Sequence, residues 1–251
     1  MENKEWDRYA KKYHDCVISP FQKSVENPIF NDIKRISGKK KLIIADIGCG
    51  IGDFLPFLSK NFKKVIAVDF SKEMLKCSEK KNTKLKNITY LQADTRQLSK
   101  LKLNVDVAIS VNSIILPSLK DNQKSLKEIH KSINKNGIYI GIFPSMESLL
   151  YNFSLVYERE WKKYENEEKA MKKTKKIVEY HKYNVISCVF DDDGEKQRLF
   201  YEFELKEMLK VAGFRNIEFK KVFYPWRCDV SGFEDFPGRD RMWDWYVICR
   251  K

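Results

Sequence analysis

Between Leu42 and Phe143 short runs rich in Val and Ile alternate with helix-length stretches, and this alternation constrains the fold more than any other feature. The runs are Leu42 to Ile47, Lys64 to Val68, Ile88 to Leu91, Val105 to Ser110 and Ile138 to Phe143. Strands separated by a helix cannot pair as hairpins, so each must cross over and lie parallel to its neighbours, which predicts an α/β doubly wound sheet with helices on both faces. Asn136-Gly137 reads as a helix stop before the fifth strand, because glycine can take the left-handed conformation of a C-terminal cap. Further on, a helix over Glu204 to Ala212 stopped by Gly213, then strands at Ile217 to Tyr224 and Trp245 to Cys249, bring the expected sheet to seven strands.

The rhythm differs at either side of this core. Residues 4 to 37 read as helical, with Trp6, Tyr9, Tyr13 and Val17 on one face and Pro20 and Pro28 as punctuation. After Phe143-Pro144 a long helical pattern runs to about residue 180, in which Glu158, Glu165 and Glu168 each precede a lysine by four positions. The lysines at 172, 173, 175 and 176 then read as a solvated face. Val185 to Phe190 and Gln197 to Phe203, joined through Asp191-Asp192-Asp193-Gly194, have the signature of a hairpin. The expected division is an N-terminal helical cap (1–40), a core (41–144 and 201–251) and an inserted helix-plus-hairpin lid (145–200).

Composition bounds the function classes. With 251 residues, 43% hydrophobic and only 10 Gly and 7 Pro, the chain can bury a substantial core and is neither disordered nor fibrous. No run of about 18 apolar residues exists, so stable membrane insertion is not expected. Six scattered cysteines without a C-x-x-C pair, and a charged start in place of a secretory signal, fit reduced thiols and a cytoplasmic location. The net charge of +13 is dispersed, as +4, +8, −1 and +2 over residues 1–41, 42–143, 144–203 and 204–251. Lysine outnumbers arginine 38 to 10, a poor match to bidentate phosphate recognition. A small molecule is therefore the expected partner, with nucleic acid as the alternative.

The first strand runs into Asp46-Ile47-Gly48-Cys49-Gly50-Ile51-Gly52, where backbone N–H groups can approach a ligand with no Cβ in the way. A dinucleotide fingerprint would need glycine where Asp53 stands, and no Gly-Lys-Ser/Thr follows for a phosphate loop. The loop therefore suits a nucleoside ligand without phosphates. Asp69, at the tip of the second strand, is placed to accept both hydroxyls of a ribose. Asp94, after the third strand, is suited to an exocyclic adenine amine.

Glycine loop, Asp69 and Asp94, in this order and spacing, resemble the core of the class I S-adenosylmethionine-dependent methyltransferases over residues 40 to 143. Ser110-Val111-Asn112 matches that family's segment after the fourth strand. Phe203 to Phe214 resembles its last helix, and Trp6 to Tyr13 the N-terminal cap of many members. The resemblance implies a Rossmann-like methyltransferase fold and S-adenosyl-L-methionine as cofactor, with Gly48, Gly50 and Gly52 beside the methionyl moiety, Asp69 on the ribose and Asp94 on adenine. The expected cofactor-binding set is Tyr13, Asp46, Gly48, Cys49, Gly50, Gly52, Asp69, Phe70, Met74, Ala93, Asp94, Thr95, Ser110 and Val111.

A sulfonium methyl is already activated, so alignment and exclusion of water are the main tasks, and no metal is expected. Tyr9 or Tyr13 could offer an aromatic face to the sulfonium. His14, His181 and Asp229 are the weak candidates for a base, whereas His130 lies at the wrong end of its helix. Asn112, Trp226 and Arg227 are the expected substrate-binding residues, the last two on a loop rich in aromatic residues between the closing strands. Asn112-Ser113-Ile114-Ile115 lacks the Asn-Pro-Pro-aromatic motif of many amine methylating members, and no Pro-Cys pair supports attack by cysteine on a base. The expected function is transfer of a methyl group to a small molecule, with RNA methylation or non-catalytic binding of S-adenosylmethionine as alternatives.

Overall fold

In the computed structural model, residues 7, 19–38, 41–226 and 234–251 are described. Seven strands form one sheet: β1 (Ile43–Ile47), β2 (Lys64–Asp69), β3 (Ile88–Gln92), β4 (Val105–Val111), β5 (Ile133–Pro144), β9 (Arg215–Phe223) and β10 (Trp243–Arg250). Their order is β3-β2-β1-β4-β5-β10-β9, parallel through β5 and antiparallel for the last two. The order reverses between β1 and β4, and the crevice at such a switch point, above the carboxyl ends of the strands, is where open α/β sheets bind ligands.

Both faces of the sheet are buried. One packs on α1 (Ile29–Ser37) and α2 (Leu55–Asn61), through Ile29, Ile33, Leu55 and Leu58, and α3 (Lys72–Lys81) lies against β2 and β3. The other packs on α4 (Leu119–Ser132) and α7 (Glu202–Ala212), through Leu126, Ile129, Leu205 and Leu209. The seven-stranded, mostly parallel sheet read from the alternation is present, and the helix over 202–212 stops at Gly213, whose φ of 107° requires glycine.

β5 departs from the expectation. α4 ends at Ser132 and the chain extends at once, so Asn136-Gly137 lies inside β5 and caps no helix. The register against β4 slips between Val105 and Val107, Asn136 takes φ 64°, and a Cβ at Gly137 would meet the Asp106 carbonyl at 2.8 Å. The glycine admits close approach at a bulge.

Residues 145 to 200 leave from β5 and return beside it, since Ser145 and Phe200 form a parallel bridge. The single long helix expected there is two helices, α5 (Met146–Tyr164) and α6 (Glu167–Ile177), broken where Glu165 turns left-handed at φ 48° and Asn166 caps the second. The break separates Glu165 from Lys169, and of the three expected pairs only Glu158 with Lys162 is an ion pair. A small antiparallel sheet follows, β6 (Tyr183–Asn184), β7 (Val189–Asp192) and β8 (Glu195–Arg198). Its β7–β8 hairpin turns on Asp193 and Gly194, both at positive φ as a tight two-residue turn demands.

In the N-terminal region the described helix is Ile29–Ser37, and residues 19–28 are irregular apart from a bridge between Glu26 and Phe223. The expected helical face of Trp6, Tyr9, Tyr13 and Val17 lies outside the described residues. Asp32 of α1 ties this region to the sheet by accepting from Tyr246 Oη at 2.9 Å, Lys220 Nζ at 2.8 Å and Arg35 Nη2 at 2.9 Å. Removing the carboxylate leaves a buried Tyr246 hydroxyl without a partner. Asp32→Ala is expected to lower the unfolding free energy by about 1.5 to 3 kcal/mol, the range for hydrogen bonds to a charged group, measured as a shift in the urea midpoint at constant slope.

Candidate active site

The tip of β1 turns back over the tip of β2. Gly48 N and Cys49 N both donate to the Val68 carbonyl, at 2.7 and 3.0 Å, and Gly50 N donates to Asp69 Oδ2 at 2.9 Å. Gly48 sits at φ 77°, and a Cβ there would collide with the Ser113 side chain, which is itself bonded to the Ile47 carbonyl at 2.7 Å. Asp69 Oδ1 accepts from Ser71 N at 2.9 Å, so this one carboxylate fixes both the glycine loop and the entry to α3. Asp7 reaches the same helix start, accepting from the Ser71 hydroxyl and from Glu73 N.

A cavity of about 770 Å³ opens above these strand tips. Of the residues expected around a cofactor, Gly48, Gly50, Asp69, Phe70, Met74, Ala93, Asp94, Thr95 and Val111 line it, and so does Asn112. Asp46 and Cys49 face a smaller hollow of about 40 Å³, shared with Pro20, Phe21, Gly48 and Asn112. Two expected residues line neither space. Gly52, at φ 78°, is packed on Ser78 and Asn82, and its carbonyl accepts from Asn82 Nδ2 at 3.2 Å, so its role is to seat the loop on α3. Ser110 is fully buried and bonded to the Tyr139 hydroxyl at 2.6 Å.

Among the base candidates, His181 lies exposed in a 3-10 turn (Tyr180–Lys182) and lines neither space. His130 packs edge-on against Phe214, as befits a structural residue. Trp226 lines neither space, and its indole donates to the Arg239 carbonyl at 3.1 Å. Tyr9, Tyr13, His14, Arg227 and Asp229 lie outside the described residues.

The structure adds residues that motif reading missed. Arg96 grips Asp94, with Nε at 3.0 and 3.1 Å from the two carboxylate oxygens and Nη2 at 2.6 Å, and reaches Asp121 at 3.2 Å. Burial pushes the Asp94 carboxyl up, but these bonds outweigh it and hold the group below its ordinary value. Asp94 is therefore ionised but heavily engaged. Lys196 and Gln197, from β8 of the inserted segment, close one side of the large cavity. A third carboxylate, Asp244, stands at the start of β10 and accepts from Tyr224 Oη at 2.6 Å and Asn112 Nδ2 at 3.2 Å. The signal for it was a lone acid within the apolar run Trp243-Asp244-Trp245-Tyr246-Val247.

Burial shifts these groups. It pushes Asp46 up to about 7, with the Asp69 charge adding to the effect. Asp69 rises to about 6 for the same reason, against the amide donors of Ser71 and Gly50. Asp244 also rises to about 6, against Tyr224 and Asn112. Burial, with the Asp46 and Asp69 charges, holds the Cys49 thiol protonated and so unfit as a nucleophile. A pocket whose carboxylates resist ionisation favours a cationic ligand.

In an unfolded chain these carboxyls lose their protons near pH 3.9. Between there and their raised folded values the folded protein holds more protons, so stability falls as pH rises through that window. The thermal midpoint of the ligand-free protein is expected to drop from about pH 4 to about pH 7, and Asp46→Asn to flatten the part of the slope above about pH 6. Calorimetric scans of both proteins across the range measure this, and identical slopes would contradict it.

Comparison with known proteins agrees with this geometry. Residues 44–137 match the family model described as a methyltransferase domain. The chain is 31% identical over 110 residues to a malonyl-[acyl-carrier protein] O-methyltransferase of Hamiltonella defensa, the match covering 44% of this chain and 41% of the relative. It is 26% identical over 195 residues to a demethylmenaquinone methyltransferase of Staphylococcus carnosus, covering 75% of this chain and 74% of the relative. The matches thus span less than half the length of the first curated relatives, at 41% and 47%. The magnesium protoporphyrin IX methyltransferase of Synechocystis PCC 6803, solved with bound S-adenosylhomocysteine, superposes with a TM-score of 0.60 at 14% identity, over 99% of this chain and 94% of that one. Residues 44–137 are thus a methyltransferase domain by family match, and the chain has the fold of the S-adenosylmethionine-dependent methyltransferases it superposes on.

Proposed function

We propose that the protein binds S-adenosylmethionine in the large cavity and transfers its methyl group to a small-molecule acceptor. One observation carries this reading: the glycine loop, Asp69 and Asp94, far apart in sequence, line a single cavity at the topological switch point. The fit is chemical as well as spatial. Asp69 uses two of its acceptor sites on Gly50 and Ser71 and keeps lone pairs for ribose hydroxyls. Gly48 and Gly50 leave room for a methionyl chain, and the raised carboxyls at 46 and 69 suit its positive charge.

When bound, the cofactor supplies a sulfonium methyl group already activated for displacement. The chain's own residues then bind, orient and exclude water. Phe70, Met74 and Ala93 offer apolar walls, and Asp94, ionised by Arg96, offers an acceptor for an adenine amine. In this reading residues 145–200 act as a lid, supported by Lys196 and Gln197 on the cavity wall. Residues 1–40 act as a cap, supported by Asp7 on the start of α3 and by Pro20 and Phe21 at the small hollow.

Relatives named for a malonyl-acyl-carrier protein and demethylmenaquinone support a small-molecule acceptor over RNA. No helix among the described residues is long and apolar enough to cross a membrane, in keeping with a cytoplasmic enzyme. Two measurements test the reading. Asp69→Ala is expected to weaken binding of S-adenosylhomocysteine at least about tenfold by calorimetry, the equivalent of losing one charge-assisted hydrogen bond. Radiolabel from S-adenosylmethionine, offered to an extract separated into small molecules, RNA and protein, should enter the small-molecule fraction. Label confined to RNA would establish the alternative.

A further inference from the structure

Asn112 is the first residue beyond β4 and holds an unusual position. Its φ is 47°, its N–H donates to the Ile142 carbonyl at 2.9 Å, and it lines both the large cavity and the small hollow. Its Nδ2 donates to Asp244 Oδ2, which also takes the Tyr224 hydroxyl. Above about pH 6 Asp244 is ionised and only accepts, so the amide has one orientation there, with nitrogen toward Asp244 and oxygen away from it. That oxygen, Asn112 Oδ1, is buried and has no hydrogen-bond partner in the protein. Buried polar atoms almost always have a partner, and an orphan at the boundary of a ligand cavity is a place for one.

Asp244 is held as firmly as Asn112. β10 is locked to β5 by the pairing of Asp244 with Pro144 and Trp245 with Phe143. Tyr224, next to the end of β9, has its backbone N–H on the Met242 carbonyl at 2.9 Å. Three strand ends therefore converge on one amide, and none of the three belongs to the cofactor side of the cavity formed by β1, β2 and β3.

We propose that Asn112 Oδ1 accepts a hydrogen bond from the N–H or O–H of the methyl acceptor, and that Asp244 and Tyr224 are positioning residues that fix its direction. This rests on the methyl-transfer reading above and narrows its substrate class to amines and alcohols. In the reaction a lone pair on nitrogen or oxygen attacks the methyl carbon, the carbon–sulfur bond breaks, and its electron pair stays on sulfur as a neutral thioether. The attacking nitrogen or oxygen becomes positive as its new bond to carbon forms, and its proton leaves to water. As positive charge develops, the hydrogen bond to Asn112 strengthens, which favours the transition state over the ground state. A thiolate or carbanion carries no such hydrogen and gains nothing from this site.

The test uses the full-length protein, S-adenosylmethionine labelled with carbon-13 in the methyl group, and the small-molecule fraction of a cell extract. The carbon chemical shift of the new methyl identifies the atom that received it. A methyl on nitrogen or on an alcohol oxygen is expected, and which of the two appears fixes the acceptor chemistry. A methyl ester, whose carboxylate precursor carries no hydrogen, overturns the inference. A methyl on sulfur or carbon overturns the inference and leaves methyl transfer intact.

With that acceptor in hand, Asp244→Asn and Asn112→Ala should each lower its kcat/KM about tenfold, consistent with losing one hydrogen bond in the transition state, and the double variant should lose little more. The dissociation constant of S-adenosylhomocysteine should stay within about twofold, which a general loss of structure would not allow. Tyr224→Phe, lacking only the hydroxyl, keeps the test available if Asp244→Asn fails to fold. A matching loss of S-adenosylhomocysteine affinity would assign Oδ1 to the cofactor and overturn the proposal. Binding of S-adenosylhomocysteine with no labelled product in any fraction would overturn methyl transfer itself, and this inference with it.

Discussion

The Asp69 carboxylate holds the site together. One oxygen takes the Gly50 amide and the other takes the Ser71 amide, so the loop after β1 and the start of α3 are set by a single side chain at the tip of β2. The sheet fixes where the tip of β2 stands, because β2 is hydrogen-bonded between β1 and β3 along its length. From that point the glycine loop can curl only as far as the Asp69 oxygen reaches, and Gly48 has to accept a left-handed φ to get there. The floor of the cavity is thus a consequence of sheet register plus one carboxylate.

That arrangement is unfavourable in isolation. Asp46 and Asp69 are both buried, and the Asp69 charge adds to the cost of ionising Asp46, while the half-buried Asp244 is also pushed up by desolvation. The core beneath them, Ile44, Val65, Val68 and Ile109, is fully buried and apolar, and it supplies the stability against which the strand-tip carboxylates draw. Local conflict of this kind is expected where function overrides foldability. A positively charged ligand between the carboxylates would lower their free energy and its own together.

Much of the fold was legible because its signals are local. Strand runs of Val and Ile are buried on both faces, so they stand out without alternation, and Gly213 and Asp193-Gly194 sit where only a positive φ closes the chain. The misreadings came from tertiary effects. Asn136-Gly137 has the composition of a helix stop, but pairing with β4 drew the chain into a strand three residues earlier and used the glycine for close approach. Glu165 and Lys169 have helical spacing, yet a left-handed residue divides them. In the site, the glycine loop and Asp69 were legible because they lie at fixed offsets from strand ends. Asp244 and Tyr224 were not, because they meet Asn112 only through an antiparallel pairing that brings residue 244 beside residue 112.

The cavity consequently has two halves with different origins. Gly48, Gly50, Asp69 and Asp94 come from β1, β2 and β3 and fall within residues 44–137, the stretch matched by the family model. The other half runs from Asn112 at the end of β4 through Ser118 and Asp121 and is closed by Lys196 and Gln197 from the inserted sheet, while Asp244 and Tyr224 of the antiparallel edge hold the Asn112 amide without lining the cavity. The first half is constrained by the backbone geometry of the loop and by the bonds of Asp69 to Gly50 and Ser71. The second half hangs on the antiparallel strands and the insertion, which can vary in side chain without disturbing the register of β1, β2 and β3. Asn112 is the junction: its backbone belongs to the parallel sheet through Ile142, and its side chain belongs to the antiparallel edge through Asp244. A substitution at Asp244 therefore frees the Asn112 amide to turn while leaving the Asp69 side of the cavity in place.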